Sequence, residues 1–81
     1  MPRQPRRIYL TKWIEWFDEG PIPVSDRDWV EYRTRGKIVA GPSYGTAQLP
    51  GWRHVAGRQG KIDRNEITHY RFVEPPNTPY R

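Results

Sequence analysis

Tryptophan and arginine are the residues of this 81-residue chain best suited to chemistry. There are four Trp (Trp13, Trp16, Trp29 and Trp52) and eleven Arg against three Lys. Arginine grips phosphate or carboxylate through two parallel hydrogen bonds and stacks on aromatic faces. Trp and Arg together are also the side chains that dominate binding hot spots. The chemistry implied is recognition of an anionic target, with no bond broken. The competing use is structural: a small core needs large side chains, and arginines can cap them from outside. Arg33, Arg35, Arg53 and Arg71 fall on or beside the strands argued below. The expected ligand-binding face is Trp29, Arg33, Trp52, Arg53 and Arg71.

Other chemistries are poorly provided for. Gly57-Arg58-Gln59-Gly60-Lys61 is too short for a phosphate loop, and Ile62 stands where a hydroxyl residue should hold magnesium. A solvated loop is the better reading, although its N–H groups and Lys61 could meet an anion. His54 and His69 are the only histidines, and neither pairs with Asp63 or Glu66 at a spacing that forces convergence on a metal. Neither Ser25 nor Ser43 sits in a nucleophile elbow. The acid pairs Asp18–Glu19 and Asp26–Asp28 lie in turn-like segments. The chain is expected not to be an enzyme, and to need no cofactor and no metal.

The net charge of +5 is concentrated at the ends. Arg3, Arg6 and Arg7 lie in a Pro- and Arg-rich arm, residues 1–7, and Arg81 is the last residue. Between residues 8 and 80, ten basic side chains face nine acidic ones. The body is therefore nearly neutral, which suits a protein partner or small ligand better than duplex DNA, although the arm could contact nucleic acid. No cysteine is available for a disulfide or thiolate site. No apolar run approaches membrane-spanning length, and the N-terminus lacks an apolar signal core. A soluble, cytoplasmic protein with no membrane association is expected.

The elements that must position these residues read as short strands. Residues 29–41, WVEYRTRGKIVAG, form a predicted hairpin on which the chain is organised. A two-residue loop would mix Ile38 with Arg33. A three-residue loop with Gly36 left-handed would pair Tyr32 with Ile38 and Val30 with Ala40, leaving Trp29, Glu31 and Arg33 on the polar face. The second register segregates better and is the one predicted. Residues 8–17, IYLTKWIEWF, suit a strand, and residues 25–28, SDRD, a capped turn. Residues 41–51 read as a loop, 52–55 as a short strand, and 56–66 as a polar connection with a helical turn near Asp63. Residues 67–73, ITHYRFV, are the last strand. The prediction is an all-β domain over residues 8–74, with the Pro-rich tail 75–81 outside it. Its form is a small SH3-like barrel or a strongly bent antiparallel sheet of four to five short strands.

Trp13-x-x-Trp16, Pro23-Val24, Arg35-Gly36, Trp52-Arg53-His54 and Ile67-x-x-Tyr70-Arg71-Phe72-Val73 resemble a loose set of short Trp-rich accessory proteins encoded by tailed phages and prophages. The resemblance spans residues 13–73. It implies a setting: such proteins bind and disable a host factor or sequester a host signalling molecule. The leading expectation is a non-enzymatic accessory protein that engages an anionic host or counter-defence target. That target would be a nucleotide, a nucleic acid or an acidic protein surface. The alternatives are a virion or assembly component that self-associates through its Trp-rich surface, and nucleic-acid binding led by the arm. Oligomeric state stays open.

Overall fold

The structure, a computed structural model, describes residues 7–76. Arg3 and Arg6 of the arm and residues 77–81 of the tail lie outside the described residues. Four strands form one antiparallel sheet: β1 (Ile14–Glu15), β2 (Val30–Thr34), β3 (Val39–Ser43) and β4 (Ile67–Phe72). Their order is β1-β4-β2-β3, so β4 and β2 are central and β1 and β3 are edges. The all-β expectation holds. The sheet is open, so the SH3-like barrel is corrected to an open sheet.

The hairpin forms with a three-residue loop, but displaced by one position. Tyr32 pairs with Ala40 and Arg33 with Val39, where Tyr32 with Ile38 was expected. The loop residues are Arg35, Gly36 and Lys37, closed by the Lys37 amide donating to the Thr34 carbonyl at 2.8 Å. Lys37, not Gly36, is left-handed (φ 65°). Gly36 is needed for a different reason. A Cβ there would lie 3.2 Å from both the Cβ and the carbonyl oxygen of Arg64, and the Gly36 amide donates to that same carbonyl at 3.0 Å. The tip is thus strapped to residues 64–66, where the Arg35 amide also donates to Glu66 at 2.8 Å. The displacement shifts pairing by two residues, so face assignment along most of β2 survives. At the other end Val30 pairs with Ser43 across a bulge.

The remaining predictions are partly corrected. Residues 8–17 give only an interrupted edge: Tyr9 bridges Val73, and Ile14 pairs with Tyr70. The strand expected at residues 52–55 is replaced by a 3-10 turn (Pro50–Trp52) and the one-turn helix α1 (Val55–Arg58). The 3-10 turn Pro50–Trp52 and a second one (Thr46–Gln48) pack on one face of the sheet through Trp52, Ala47 and Leu49, whereas no residue of α1 is buried. The capped turn at residues 25–28 is present, with the Ser25 amide donating to Asp28 Oδ2 at 2.8 Å.

The core follows from the aromatics. Trp52 is completely buried, edge-on to Trp16 (5.8 Å between centroids) and to Tyr70 (5.5 Å). Both buried indoles find acceptors: Trp52 Nε1 donates to the Thr46 carbonyl and Trp16 Nε1 to the Trp52 carbonyl, each at 2.7 Å. A buried N–H without a partner would be costly, so these two bonds fix how the loop lies on the sheet. Ile67 joins Tyr70 in this core, although the two are three residues apart. A bulge opposite Arg33 and Thr34 inserts one residue and turns Ile67 inward.

Candidate functional site: a cationic groove at the hairpin end

Three carboxylates with buried side chains decide which arginines are available. Glu31 is 1% exposed and accepts Arg71 Nε at 2.7 Å on one oxygen and Arg7 Nη1 at 2.7 Å on the other. Arg71 is also held between two rings, 3.7 Å from the Tyr9 centroid and 4.1 Å from that of Trp13. Asp18, left-handed at φ 57°, accepts Arg53 Nη1 at 2.8 Å, Arg58 Nη2 at 2.6 Å and the His54 amide at 3.0 Å. Burial pushes the Asp18 carboxyl up, but the His54 amide, the Arg53 hydrogen bond and the charges of Arg58 and Arg53 together hold it below the ordinary carboxylate range. Glu66 accepts both Nε and Nη2 of Arg35 on Oε1, at 3.2 and 3.0 Å.

The face expected from sequence is therefore divided. Trp52 is corrected to a core residue, since its exposure is 0%. Arg53 is tied to Asp18 and to the Gly20 carbonyl. Trp29 is half-buried against Tyr44, with centroids 4.6 Å apart, at the end of β2 opposite the hairpin turn. Arg33 and Arg71 are brought together beside Trp13, with the Arg33 guanidinium carbon 5.4 Å from its centroid. Arg7, the one described residue of the arm triplet, is engaged by Glu31.

At the hairpin end the sheet carries an open groove of about 770 Å³. It runs across the strand order. Glu15, Trp16 and Phe17 lie on the β1 side, and Thr68 and His69 of β4 come next. Arg33 and Thr34 of β2 follow, then Arg35, Lys37 and Val39 of the turn and β3. Arg33 and Lys37 have no ion-pair partner among the described residues. Phe17 is 63% exposed. Burial, then the Arg33 charge, depresses the His69 pKa against the opposing pull of Glu15, so the imidazole is neutral at pH 7. Its Nδ1 stands 2.9 Å from Thr68 Oγ1. His54 is differently employed, its Nε2–H donating to the Ile67 carbonyl at 2.7 Å.

A second cleft of about 350 Å³, between Tyr32, Ile38, Leu49 and Ile67, is mostly apolar and has no basic side chain in its lining. Among the described residues no three His, Cys, Asp or Glu side chains are grouped to hold a metal ion, and no helix is long and apolar enough to cross a membrane. Comparison with protein-family models, curated proteins and solved structures finds no match to this chain.

Sequence reasoning weighed His69 as a metal ligand and missed Phe17 and Lys37. Lys37 had no usable signal in the predicted register, where Gly36 ends the loop; it becomes the last turn residue only in the observed pairing. Phe17 had none, because its exposure depends on where the interrupted edge strand ends.

Proposed function

We propose that the protein is a non-enzymatic binding module that engages an anionic target in the hairpin-end groove, with Arg33 and Lys37 as the primary contacts. One observation carries this reading. Arg7, Arg35, Arg53, Arg58 and Arg71 are each ion-paired to a buried carboxylate, whereas Arg33 and Lys37 enter the groove with no ion-pair partner among the described residues, and Glu15 lines the groove from its β1 side. Uncompensated cations in a concave, partly apolar setting attract anions more strongly than the same charges on a convex surface. The resemblance to short Trp-rich phage accessory proteins supplies the setting. The module would act in the host cytoplasm on a host or counter-defence factor.

Self-association has one observation in its favour: Ile38 and Val39 at the edge strand β3 are 59% and 51% exposed. That edge is interrupted by the bulge near Val30 and by Pro42, both devices that discourage strand-to-strand pairing. The anion-binding reading is the better supported.

The test is a titration of the ¹⁵N-labelled protein with inorganic tripolyphosphate at low salt. Amide shifts should cluster at Arg33, Lys37 and His69 and fade as salt is raised. Shifts centred on Arg53 and Arg58, or none, would sink the reading.

A further inference from the structure

The groove separates its chemistries from one side to the other. Its unpaired cations, Arg33 and Lys37, sit together on the β2–β3 side with Arg35, which is paired to Glu66, beside them, and its exposed ring, Phe17, sits on the β1 side with Glu15. Two strand spacings separate β1 from β2, so the β1 side and Arg33 are about 10 Å apart, with the turn that carries Lys37 beyond. Between them lie Thr68 and the neutral imidazole of His69, which can exchange hydrogen bonds without adding charge.

We infer that this groove takes a mononucleotide with a short phosphate chain, its base stacked on Phe17 and its phosphates on Arg33 and Lys37. The inference rests on the anion-binding reading above and specifies its ligand. Three features select this class. First, the ligand must carry a flat ring at one end and clustered negative charge at the other, which is the form of a nucleoside di- or triphosphate. Second, a single-stranded nucleic acid needs cations strung along its backbone with rings interleaved. Here the cations are gathered on one side, and residues 8–80 carry ten basic side chains against nine acidic ones. Third, a singly exposed phenylalanine is ordinary on any surface. Its placement across one groove from the unpaired cations is what gives it a use.

The backbone at Lys37 supports the phosphate end. A non-glycine residue at φ 65° is disfavoured and persists only where something over-determines it. The other such residue, Asp18, is held by two arginines and an amide. Lys37 is held by the turn itself, its amide donating to the Thr34 carbonyl at 2.8 Å, and its side chain has no partner among the described residues, which leaves the ammonium group accessible from the groove.

Calorimetric titrations of the full chain test this with four probes at matched ionic strength: ATP, tripolyphosphate, adenosine and an oligothymidylate series. ATP should bind at least tenfold tighter than tripolyphosphate, the margin that base–aromatic stacking supplies. Phe17→Ala should erase that margin and leave tripolyphosphate binding unchanged, whereas Lys37→Gly should weaken both. Both substitutions are at exposed side chains, so the folded state survives them. Equal affinity for ATP and tripolyphosphate would overturn the nucleotide inference while leaving the anion site standing. Oligothymidylate affinity that exceeds ATP and grows with length would overturn it in favour of a single-strand groove. Failure of all four probes to bind would remove both readings.

Discussion

Asp18 has φ 57° and Lys37 has φ 65°, and in both the left-handed backbone turns a charged side chain in a direction a regular strand or turn would not. At Asp18 the charge is absorbed inside the molecule by Arg53, Arg58 and the His54 amide. At Lys37 it faces the groove with no such set of partners. The same division separates the molecule's two charged regions. Buried Glu31, Glu66 and Asp18 neutralise the arginines around them and hold chain segments together. At the hairpin end Arg35 is paired to Glu66, but Arg33 and Lys37 have no ion-pair partner among the described residues. Arginine content alone therefore says little about binding in this chain; what matters is which arginines have a buried acid.

The strongest way to break this comparison is to remove a clamp. Glu31→Gln should destabilise the protein by about 3 kcal/mol, because Arg71 loses its counter-charge in a largely enclosed position. Urea unfolding measures this directly. A loss below about 0.5 kcal/mol, the range of ordinary surface changes, would show that the clamp is not structural. Affinity for tripolyphosphate should survive in the folded fraction, since Glu31 does not line the groove.

A subtler effect should appear at Asp18 under acid. Its folded pKa lies below its ordinary value of 3.8, so the unfolded chain takes up the proton first as pH falls. The stabilising contribution is complete above about pH 5 and is lost as pH falls through the lower folded value. Asp18→Asn removes this titration. Comparing urea midpoints at pH 6 and pH 3, the wild type should lose more stability than the variant. Parallel losses would mean that Asp18 carries no such linkage.

Much of the sheet was legible because period and residue type agree there. The hairpin at residues 29–41 and the strand at 67–73 both alternate, and both formed. The hairpin register was missed because Gly36 serves a close approach to Arg64, a contact between segments far apart in sequence. Trp52 was misplaced for a related reason. A Trp beside Arg and His suits an exposed strand locally, yet its indole fills the space over Tyr70 and Trp16. The buried acids were the least legible of all. Glu31 reads as an outward residue by alternation and does lie on the outer face, but Arg7 and Arg71 roof it over. Of the candidate site, Arg33 was legible from its strand position. Phe17 and Lys37 became visible only with the edge and the turn in place.

The smallest expected effect has the opposite sign and draws the line most sharply. Lys37→Gly relieves a left-handed residue of its Cβ clash, worth about 1–2 kcal/mol, and loses about 0.5–1 kcal/mol to the greater freedom of glycine when unfolded. The variant should be more stable by up to about 1 kcal/mol, read as a rise in Tm of about 5 °C. It should also bind ATP and tripolyphosphate more weakly than the wild type. A gain in stability coupled to a loss of binding is what a residue retained for a ligand must show. The matching change at Asp18 should do the reverse. Asp18→Gly relieves the same strain but frees Arg53, Arg58 and the His54 amide at once, so it should lose stability. If Lys37→Gly also loses stability, Lys37 is part of the fold in the way Asp18 is, and the hairpin end is left with Arg33 as its unpaired cation.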